Sequence, residues 1–175
     1  MRKNDVEPYE LKSPKNDRAF HFECIRKEIF AVPYNQRSTR EEALRVIQGV
    51  SGPGSAVIAT TGFTGRELWA LDDRDNQLYM VGSMGCALPL GLGIAINKPG
   101  MRIYVVDGDG ALLMRTGTMA TVGAYQPGNL VHILLDNEVH DSTGGPRTGS
   151  DGVCSPTVAT GFGSRAPLGL ASLDW

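Results

Sequence analysis

The sequence predicts an α/β fold, a doubly wound parallel sheet with helices on both faces. Short apolar runs rich in β-branched residues alternate with segments that carry apolar residues at helical spacing. This alternation is typical of parallel sheets. Polar or glycine-rich loops follow the runs, and in such a fold these loops meet in a crevice at the carboxyl ends of the strands. We therefore expect the functional residues to lie in those loops.

Composition excludes several functional classes. The chain has 175 residues, 41% of them hydrophobic, and a formal net charge of −2, so we expect one core and no nucleic-acid partner. The N-terminus lacks the apolar segment of a signal peptide, and the apolar runs are too short to cross a membrane. Three cysteines without metal-type spacing predict free thiols. We expect a soluble cytoplasmic protein that does not bind membranes.

The first elements follow a segment without a sustained period. We expect a linker or N-terminal arm over residues 1–37, with at most a short structured piece at residues 20–25. The pattern Ser38-Thr39-Arg40-Glu41 indicates a capping box and predicts a helix over 39–48.

Further elements continue the alternation. Thr64-Gly65-Arg66-Glu67 repeats the capping-box pattern and predicts a second helix start. The strands are expected at 56–60, 77–81, 102–106 and 130–135, and the other helices at 64–71, 86–96 and 112–125.

The pattern is lost from Gly144 onward, where glycines and prolines interrupt any apolar period. We expect a ligand-binding α/β domain over 38–148 and an irregular tail over 149–175. A domain of this type normally continues with another helix and strand. Either the tail replaces these elements, or the chain is truncated at its C-terminus, which is the expectation we favour.

Oxygen-bearing side chains end two neighbouring strands. Asp109 lies in Gly108-Asp109-Gly110, and Asn137 ends the next strand. With the backbone carbonyl of Val139, these residues offer three oxygen ligands of the kind that Mg²⁺ prefers, and leave room for diphosphate oxygens. The alternative is a plain Gly-Asp-Gly turn, and the paired asparagine argues against it.

These residues resemble a known motif. Gly108-Asp109-Gly110 with Asn137 is similar to the metal-diphosphate motif of thiamine-diphosphate-dependent enzymes, and Gly82-Ser83-Met84-Gly85 resembles their segment that holds the cofactor bent. Residues 59–68, 81–85 and 136–145 further resemble the phosphonopyruvate and sulfopyruvate decarboxylases. The resemblance covers about residues 38–145.

The resemblance implies roles for individual residues. Asp109, Asn137 and the Val139 carbonyl would bind Mg²⁺. Met84 would be the apolar wedge between the cofactor's two rings, and the Gly82 carbonyl would accept the exocyclic amine of the pyrimidine. The implied cofactor-binding residues are Thr61, Gly62, Gly82, Ser83, Met84, Gly108, Asp109, Gly110, Ala111, Asn137 and Val139.

The implied reaction is decarboxylation of a 3-substituted pyruvate, with 3-phosphonopyruvate giving phosphonoacetaldehyde and CO₂. His140 either donates a proton or hydrogen bond to the substrate or is a solvated loop histidine. Arg66 and Arg147 either meet the phosphonate or are solvated, and His132 is expected to be structural. Sulfopyruvate is the alternative substrate, with this chain as the beta subunit.

The resemblance also implies a partner. The family activates the pyrimidine ring with a glutamate on a separate domain, and the sequence contains no such domain. We expect a pyrimidine-binding domain or subunit, a dimer or two-subunit complex, and no activity of this chain alone. A truncated, non-catalytic cofactor-binding or assembly subunit is a second possibility. A dinucleotide-binding dehydrogenase is disfavoured because no Gly-x-Gly-x-x-Gly follows the first strand.

Overall fold

A computed structural model describes the backbone of residues 21–26, 38–164 and 166–170, with side chains over 38–164. The described strands form one parallel sheet with the order β3-β2-β4-β5-β1-β6. This confirms the predicted doubly wound parallel fold. The strands are β1 (His21–Arg26), β2 (Ser55–Ala59), β3 (Gln77–Tyr79), β4 (Arg102–Gly108), β5 (Leu130–Asp136) and β6 (Ala166–Leu170).

Helices cover both faces of this sheet. They are α1 (Arg40–Val50), α2 (Phe63–Leu71), α3 (Ala87–Asn97), α4 (Asp109–Met114), α5 (Gly117–Tyr125) and α6 (Ser155–Gly161). Successive residues of β2 point to opposite faces. Ile58 packs in a buried cluster with residues of α3, α5 and α6, whereas Val57 packs in a second cluster with residues of α1 and α2. Over the described residues, no helix has the length and apolar character of a membrane span.

The capping box of α1 lies one residue later than the sequence pattern predicted. Thr39 is the N-cap, its side chain accepts a hydrogen bond from the Glu42 backbone N–H at 3.2 Å, and the Glu42 carboxylate accepts one from the Thr39 N–H at 2.6 Å. The hydrogen bond from the Thr39 backbone, with that from its hydroxyl, holds the pKa of Glu42 below its ordinary value. The structure therefore shifts the predicted Ser38–Glu41 box to Thr39 and Glu42.

The second predicted capping box is wrong. Helix α2 begins at Phe63, and its N-cap is Gly62, which has φ of 95° and no side-chain capping bond. Thr64 therefore lies inside the helix. A positive φ is readily adopted by glycine, so the sharp turn after β2 decides the helix start rather than a hydroxyl cap.

The expectations of an N-terminal arm and an irregular tail are corrected by β1, α6 and β6. Strand β1 lies between β5 and β6 in parallel register, and α6 precedes β6. The close approach of α5 to the end of α6 leaves no room at Gly123, where an added Cβ would lie 1.6 Å from the Phe162 carbonyl oxygen. Pairing between such distant segments leaves no local pattern in the sequence. The domain boundaries themselves stay predictions.

The helix predicted over residues 112–125 is two helices. Helix α4 ends at Met114 and α5 begins at Gly117, and the Thr116 hydroxyl donates to the Leu112 carbonyl at 3.0 Å in the break. Helix α4 also begins earlier than predicted, at Asp109. The start of this helix therefore lies at the carboxyl end of β4.

Two glycines of α3 provide a matched test of the packing of this helix on β4. A Cβ added at Gly91 would lie 2.3 Å from Cγ2 of Val105, whereas none of the surrounding atoms lies within 4 Å of one added at Gly93. We expect Gly91→Ala to lower the free energy of unfolding by about 1–3 kcal/mol through overpacking. Gly93→Ala should be neutral or stabilising by about 0.5–1 kcal/mol. Urea unfolding of the full chain measures both, and equal stabilities of the two variants would contradict this packing.

Candidate functional site

A cavity of about 370 Å³ lies at the carboxyl ends of β2, β4 and β5. Parallel pairing aligns these ends, since Gly108 pairs with Leu135 and Ala59 pairs with Val106. The residues that follow each strand therefore meet in the cavity. Its lining comprises Ser38, Thr39, Arg40, Ala43, Thr60, Thr61, Phe63, Thr64, Met84, Gly108, Asp109, Gly110, Ala111, Leu135, Asp136, Asn137, Val139, His140, Asp141 and Ser142.

Asp109 is the most tightly held carboxylate of the cavity. Its side chain is buried at the start of α4. Oδ2 accepts a hydrogen bond from the Thr148 hydroxyl and lies 3.0 Å from the Ser150 hydroxyl. Both hydroxyls therefore contact the same carboxylate oxygen, Oδ2. Oδ1 takes part in neither of these two hydrogen bonds.

Asn137 is held in a defined orientation beside it. Its side-chain oxygen Oδ1 accepts a hydrogen bond from the Val139 N–H at 3.3 Å, and its Nδ2 donates to Oδ2 of Asp141 at 2.7 Å. An amide placed in this way directs its oxygen and its nitrogen to different partners. The oxygen lies on the side of the Val139 backbone, where the predicted third ligand is.

The loop after β5 folds back on itself and leaves the Val139 carbonyl available. Val139 and Arg147 form an antiparallel bridge, with flanking hydrogen bonds from the His140 N–H to Pro146 at 2.8 Å and from the Thr148 N–H to the carbonyl before Val139 at 3.0 Å. Neither hydrogen bond uses the Val139 carbonyl.

The donor set fits Mg²⁺. One carboxylate, one amide oxygen and one backbone carbonyl match the hard oxygen ligands of this cation, with further positions left for phosphate oxygens and water. Over the described residues there is no group of three His, Cys, Asp or Glu side chains that could hold a metal ion. A cation here would therefore depend on the oxygens of its ligand for a complete shell.

His140 lies against the start of α4. A Cβ added at Gly110 would lie 2.3 Å from Cε1 of His140 and 3.0 Å from Cγ2 of Thr148. Glycine at this position therefore allows the imidazole to approach the backbone beside Asp109. The structure places His140 in the lining of the cavity.

The loop over residues 82–85 connects to two other parts of the site. The Gly82 N–H donates to the Thr61 hydroxyl at 3.2 Å, and a Cβ added at Gly85 would lie 2.7 Å from the Ala111 carbonyl oxygen. Gly82 and Gly85 have φ of 77° and 83°, and the residue between them, Ser83, has φ of 51°. The tight, left-handed course of this loop therefore brings it close to both the β2 loop and α4.

Most of the residues that the sequence indicated meet in this cavity. Gly62, Gly82 and Ser83 are the ones outside its lining, and they lie in the loops that border it. The members that line the cavity are Thr61, Met84, Gly108, Asp109, Gly110, Ala111, Asn137, Val139 and His140.

Comparison with known proteins identifies the family. Residues 60–166 match the family described as thiamine pyrophosphate enzyme, C-terminal TPP binding domain. The chain belongs to this family. The matched residues include β3, β4 and β5 and most of the cavity lining, and the cofactor of this family is thiamine diphosphate.

Several relatives are similar over most of the chain. Phosphonopyruvate decarboxylase of Streptomyces hygroscopicus is 53% identical over 142 residues, which cover 81% of this chain and 35% of the relative. The protein of the same name from Streptomyces viridochromogenes is 54% identical over 138 residues, covering 79% and 34%. Sulfopyruvate decarboxylase subunit beta of Methanothermobacter thermautotrophicus is 41% identical over 124 residues, covering 71% and 66%.

The chain spans about a third of the length of the phosphonopyruvate decarboxylases that it matches. The X-ray structure of an enzyme from Mycobacterium smegmatis, assigned as thiamin diphosphate-dependent, has a TM-score of 0.63 at 17% identity and covers 79% of this chain and 32% of that one. At this identity the likeness shows the fold of the thiamine pyrophosphate enzyme domain.

Sequence reasoning missed a polar network at the rim of the cavity. The Arg40 guanidinium contacts Glu67 at 2.6 Å and Asp141 at 3.1 Å, and lies 5.5 Å from the ring centre of Phe63. The hydrogen bond to Glu67, with that to Asp141, holds the pKa of Arg40 above its ordinary value against the effect of burial. No motif signals this network, because its members come from three separate segments.

Sequence reasoning also missed the hydroxyl residues around Asp109. The Ser150 hydroxyl lies 3.0 Å from Asp109 and 2.8 Å from the buried Asp136, so it joins two carboxylates. Ser150 falls within the segment predicted to be irregular, and Thr148 immediately precedes it. Glycine-rich surroundings gave no signal that these two side chains return to the sheet.

The two arginines considered for the phosphonate do not line the cavity. Arg66 lies 5.7 Å from the ring of Phe63, and Arg147 pairs with Glu138 and Asp151 while its side chain is 66% exposed.

A histidine and two cysteines also behave as the sequence suggested. His132 is fully buried, and its Nε2 lies 3.5 Å from the carboxylate of Asp107. This burial is consistent with the structural role predicted for His132. The described cysteines, Cys86 and Cys154, are free thiols, which confirms that part of the cysteine prediction.

Removing the Ser150 hydroxyl tests its part in the fold. We expect Ser150→Ala to lower the free energy of unfolding by about 1–3 kcal/mol, because the single hydroxyl hydrogen of Ser150 donates to one of two adjacent buried carboxylates and that hydrogen bond is lost. Thr160→Ala is the control, since its exposed hydroxyl bonds only to the Pro156 carbonyl within α6. Urea unfolding measures both variants, and a loss no larger in Ser150→Ala than in Thr160→Ala would contradict the role of the bridge.

Proposed function

We propose that this chain supplies the diphosphate- and Mg²⁺-binding half of a thiamine-diphosphate-dependent decarboxylase of 3-substituted pyruvates, with 3-phosphonopyruvate as substrate. The observation that carries the proposal is the meeting of Thr61, Met84, Asp109 and Asn137 in one cavity of a thiamine pyrophosphate enzyme domain. Relatives named phosphonopyruvate decarboxylase are 53% and 54% identical to this chain. The proposed products are phosphonoacetaldehyde and CO₂.

In this proposal Asp109, Asn137 and the Val139 carbonyl hold Mg²⁺, and the metal binds the cofactor diphosphate. The backbone N–H groups of Gly110 and Ala111, in the first turn of α4, would bind the same anion. Thr61 and Gly62, in the loop after β2, lie beside the proposed diphosphate position. Ser83 and Gly108 lie beside it in the neighbouring loops.

Thiamine diphosphate, when bound, supplies the electron sink for the electron pair left by the departing CO₂. Met84 provides an apolar side chain in the cavity, against which the rings pack. The Gly82 carbonyl accepts a hydrogen bond from the pyrimidine amine. His140, which packs on Gly110, is placed to donate a proton or a hydrogen bond to the substrate.

We further propose that a pyrimidine-binding domain or subunit completes the site and carries the activating glutamate. No glutamate among the described residues lines the cavity. Glu67, which lies at its rim, is engaged by Arg40 at two points. A partner of this kind makes a dimer or a two-subunit complex the working form.

Sulfopyruvate is the second candidate substrate, with this chain as a beta subunit. The observation in its favour is that a sulfopyruvate decarboxylase beta subunit is 41% identical to this chain over 124 residues. Sequence identity favours phosphonopyruvate, at 53% against 41%. The phosphonate and sulfonate groups are both tetrahedral oxyanions, so turnover has to discriminate between them.

Cofactor binding tests the proposed site. In calorimetry of the complex with a pyrimidine-binding partner, thiamine diphosphate should bind only when Mg²⁺ is present. Asp109→Ala should weaken this binding at least 100-fold, on the order expected for loss of a metal ligand. Asp75→Ala, which removes an exposed carboxylate outside the cavity lining, is the control and should bind as the wild type does. Unchanged binding by Asp109→Ala would contradict the site.

Turnover tests the reaction. We expect the reconstituted complex to release CO₂ from 3-phosphonopyruvate faster than from sulfopyruvate, and Asn137→Ala to abolish the release. This chain alone should release none, because the activating glutamate is then absent. Cofactor binding without CO₂ release from either substrate would instead support a non-catalytic cofactor-binding subunit. Faster release from sulfopyruvate would support the second candidate.

A further inference from the structure

Arg40 of α1 contacts α2 and lies beside the loop that follows β5. Its Nε donates to Oε2 of Glu67 at 2.8 Å, and its Nη2 donates to Oε1 of the same carboxylate at 2.6 Å. This two-point contact fixes the plane of the guanidinium group more firmly than a single hydrogen bond would. The nearby ring of Phe63, at 5.5 Å from Cζ, packs on the same group.

The remaining nitrogen of the guanidinium group, Nη1, contacts the loop that follows β5. Nη1 of Arg40 donates to Oδ2 of Asp141 at 3.1 Å, and the same oxygen accepts a hydrogen bond from Nδ2 of Asn137 at 2.7 Å. A continuous series of contacts therefore runs from Glu67 through Arg40 and Asp141 to Asn137. We name Glu67, Arg40 and Asp141 the relay.

We propose that the relay is a positioning device for the metal ligand Asn137. This inference rests on the proposed function, because it concerns the ligand through which this chain would hold Mg²⁺. Of the three, Asp141 contacts Asn137, at its amide nitrogen, and Arg40 and Glu67 act on Asn137 only through Asp141. They are therefore positioning residues.

The side-chain amide of Asn137 could lie in either of two orientations, which differ in the atom that faces the metal. The oxygen and the nitrogen of an asparagine amide have nearly the same shape, so rotation by 180° exchanges them. One orientation offers Mg²⁺ an acceptor oxygen, and the other offers it two N–H donors, which the cation repels. An ionised carboxylate accepts hydrogen bonds and cannot donate them. Asp141 therefore favours the orientation in which Nδ2 of Asn137 faces Asp141, and the Val139 N–H, which donates to Oδ1 at 3.3 Å, supports the same orientation.

Arg40 is needed to keep Asp141 in place. Asp141 lies in a short 3₁₀ turn, Asp141–Thr143, on the loop after β5, and its side chain is 38% exposed. Helices α1 and α2 pack on the sheet, and the two-point contact between Arg40 and Glu67 joins these helices. The guanidinium group thus connects a loop carboxylate to a rigid part of the fold.

A purely stabilising role is the competing explanation. The side chains of Arg40 and Glu67 are 25% and 34% exposed, and ion pairs with such access to water contribute little to stability. A helix-to-helix tie would change the unfolding midpoint when removed and would leave the Mg²⁺ dependence of cofactor binding unchanged. The two explanations therefore differ in a measurable quantity.

The test compares Mg²⁺ affinity among variants of the full chain in complex with its pyrimidine-binding partner. The variants are Arg40→Gln, Asp141→Ala and the double variant, with thiamine diphosphate held in excess and Mg²⁺ titrated. We expect the half-saturating Mg²⁺ concentration to rise about 10- to 100-fold in each single variant, as is typical when a residue that orients a metal ligand is lost. The double variant should resemble the single ones, because residues in one network are not additive.

Arg45→Gln is the matched control. Arg45 forms an exposed pair with Glu41 at 2.7 Å on the same helix and does not line the cavity. Its Mg²⁺ dependence should equal that of the wild type. Asp141→Asn provides a variant of unchanged size in case Asp141→Ala does not fold. It loses the acceptor-only character of the carboxylate, so Mg²⁺ affinity should also fall.

A second readout needs neither cofactor nor activity. In the ¹⁵N spectrum of the full chain, the side-chain NH₂ signals of Asn137 should shift and exchange faster with water in Asp141→Ala and Arg40→Gln, and should be unchanged in Arg45→Gln. Unchanged NH₂ signals, or an unchanged Mg²⁺ dependence in folded relay variants, would overturn the positioning role. A wild-type complex without Mg²⁺-dependent cofactor binding would instead contradict the proposed function itself.

Discussion

Strands β4 and β5 end side by side because Gly108 pairs with Leu135, and this register decides which side chains meet at the site. Asp109 and Asn137 leave the sheet at the same edge as a result. The pairing of Ala59 with Val106 brings the loop after β2 to that edge as well. A slip of one residue would turn every side chain of a strand to the opposite face of the sheet, so the buried clusters on both faces hold the register.

Separate parts of the chain hold the side chains of Asp109 and Asn137, the two proposed metal ligands. The Thr148 and Ser150 hydroxyls contact only one oxygen of Asp109, and Asp141 engages only the nitrogen of Asn137. Oδ1 of Asn137 in turn accepts a hydrogen bond from the Val139 N–H at 3.3 Å, so both polar ends of this amide are held. These hydrogen bonds orient the two side chains within the protein itself, and in the proposed site this lowers the ordering that metal binding requires.

The sequence predicted the central fold and the centre of the site, since both depend on local patterns. Apolar runs located β2 to β5. Asp109 between two glycines, together with Asn137, indicated where the cavity lies. Distant contacts were not predictable. Strand β1 pairs with β5 more than a hundred residues away, and Arg40 reaches Asp141 over a similar separation. Helix α6 was missed because its glycine-rich surroundings lack an apolar period.

A direct test of this account is a crystal structure of the chain with its pyrimidine-binding partner, thiamine diphosphate and Mn²⁺ in place of Mg²⁺. The account predicts one anomalous peak at about 2.0–2.3 Å from Oδ1 of Asp109, Oδ1 of Asn137 and the Val139 carbonyl oxygen, in contact with the diphosphate. A peak elsewhere, or cofactor density away from the carboxyl ends of β2, β4 and β5, would contradict it.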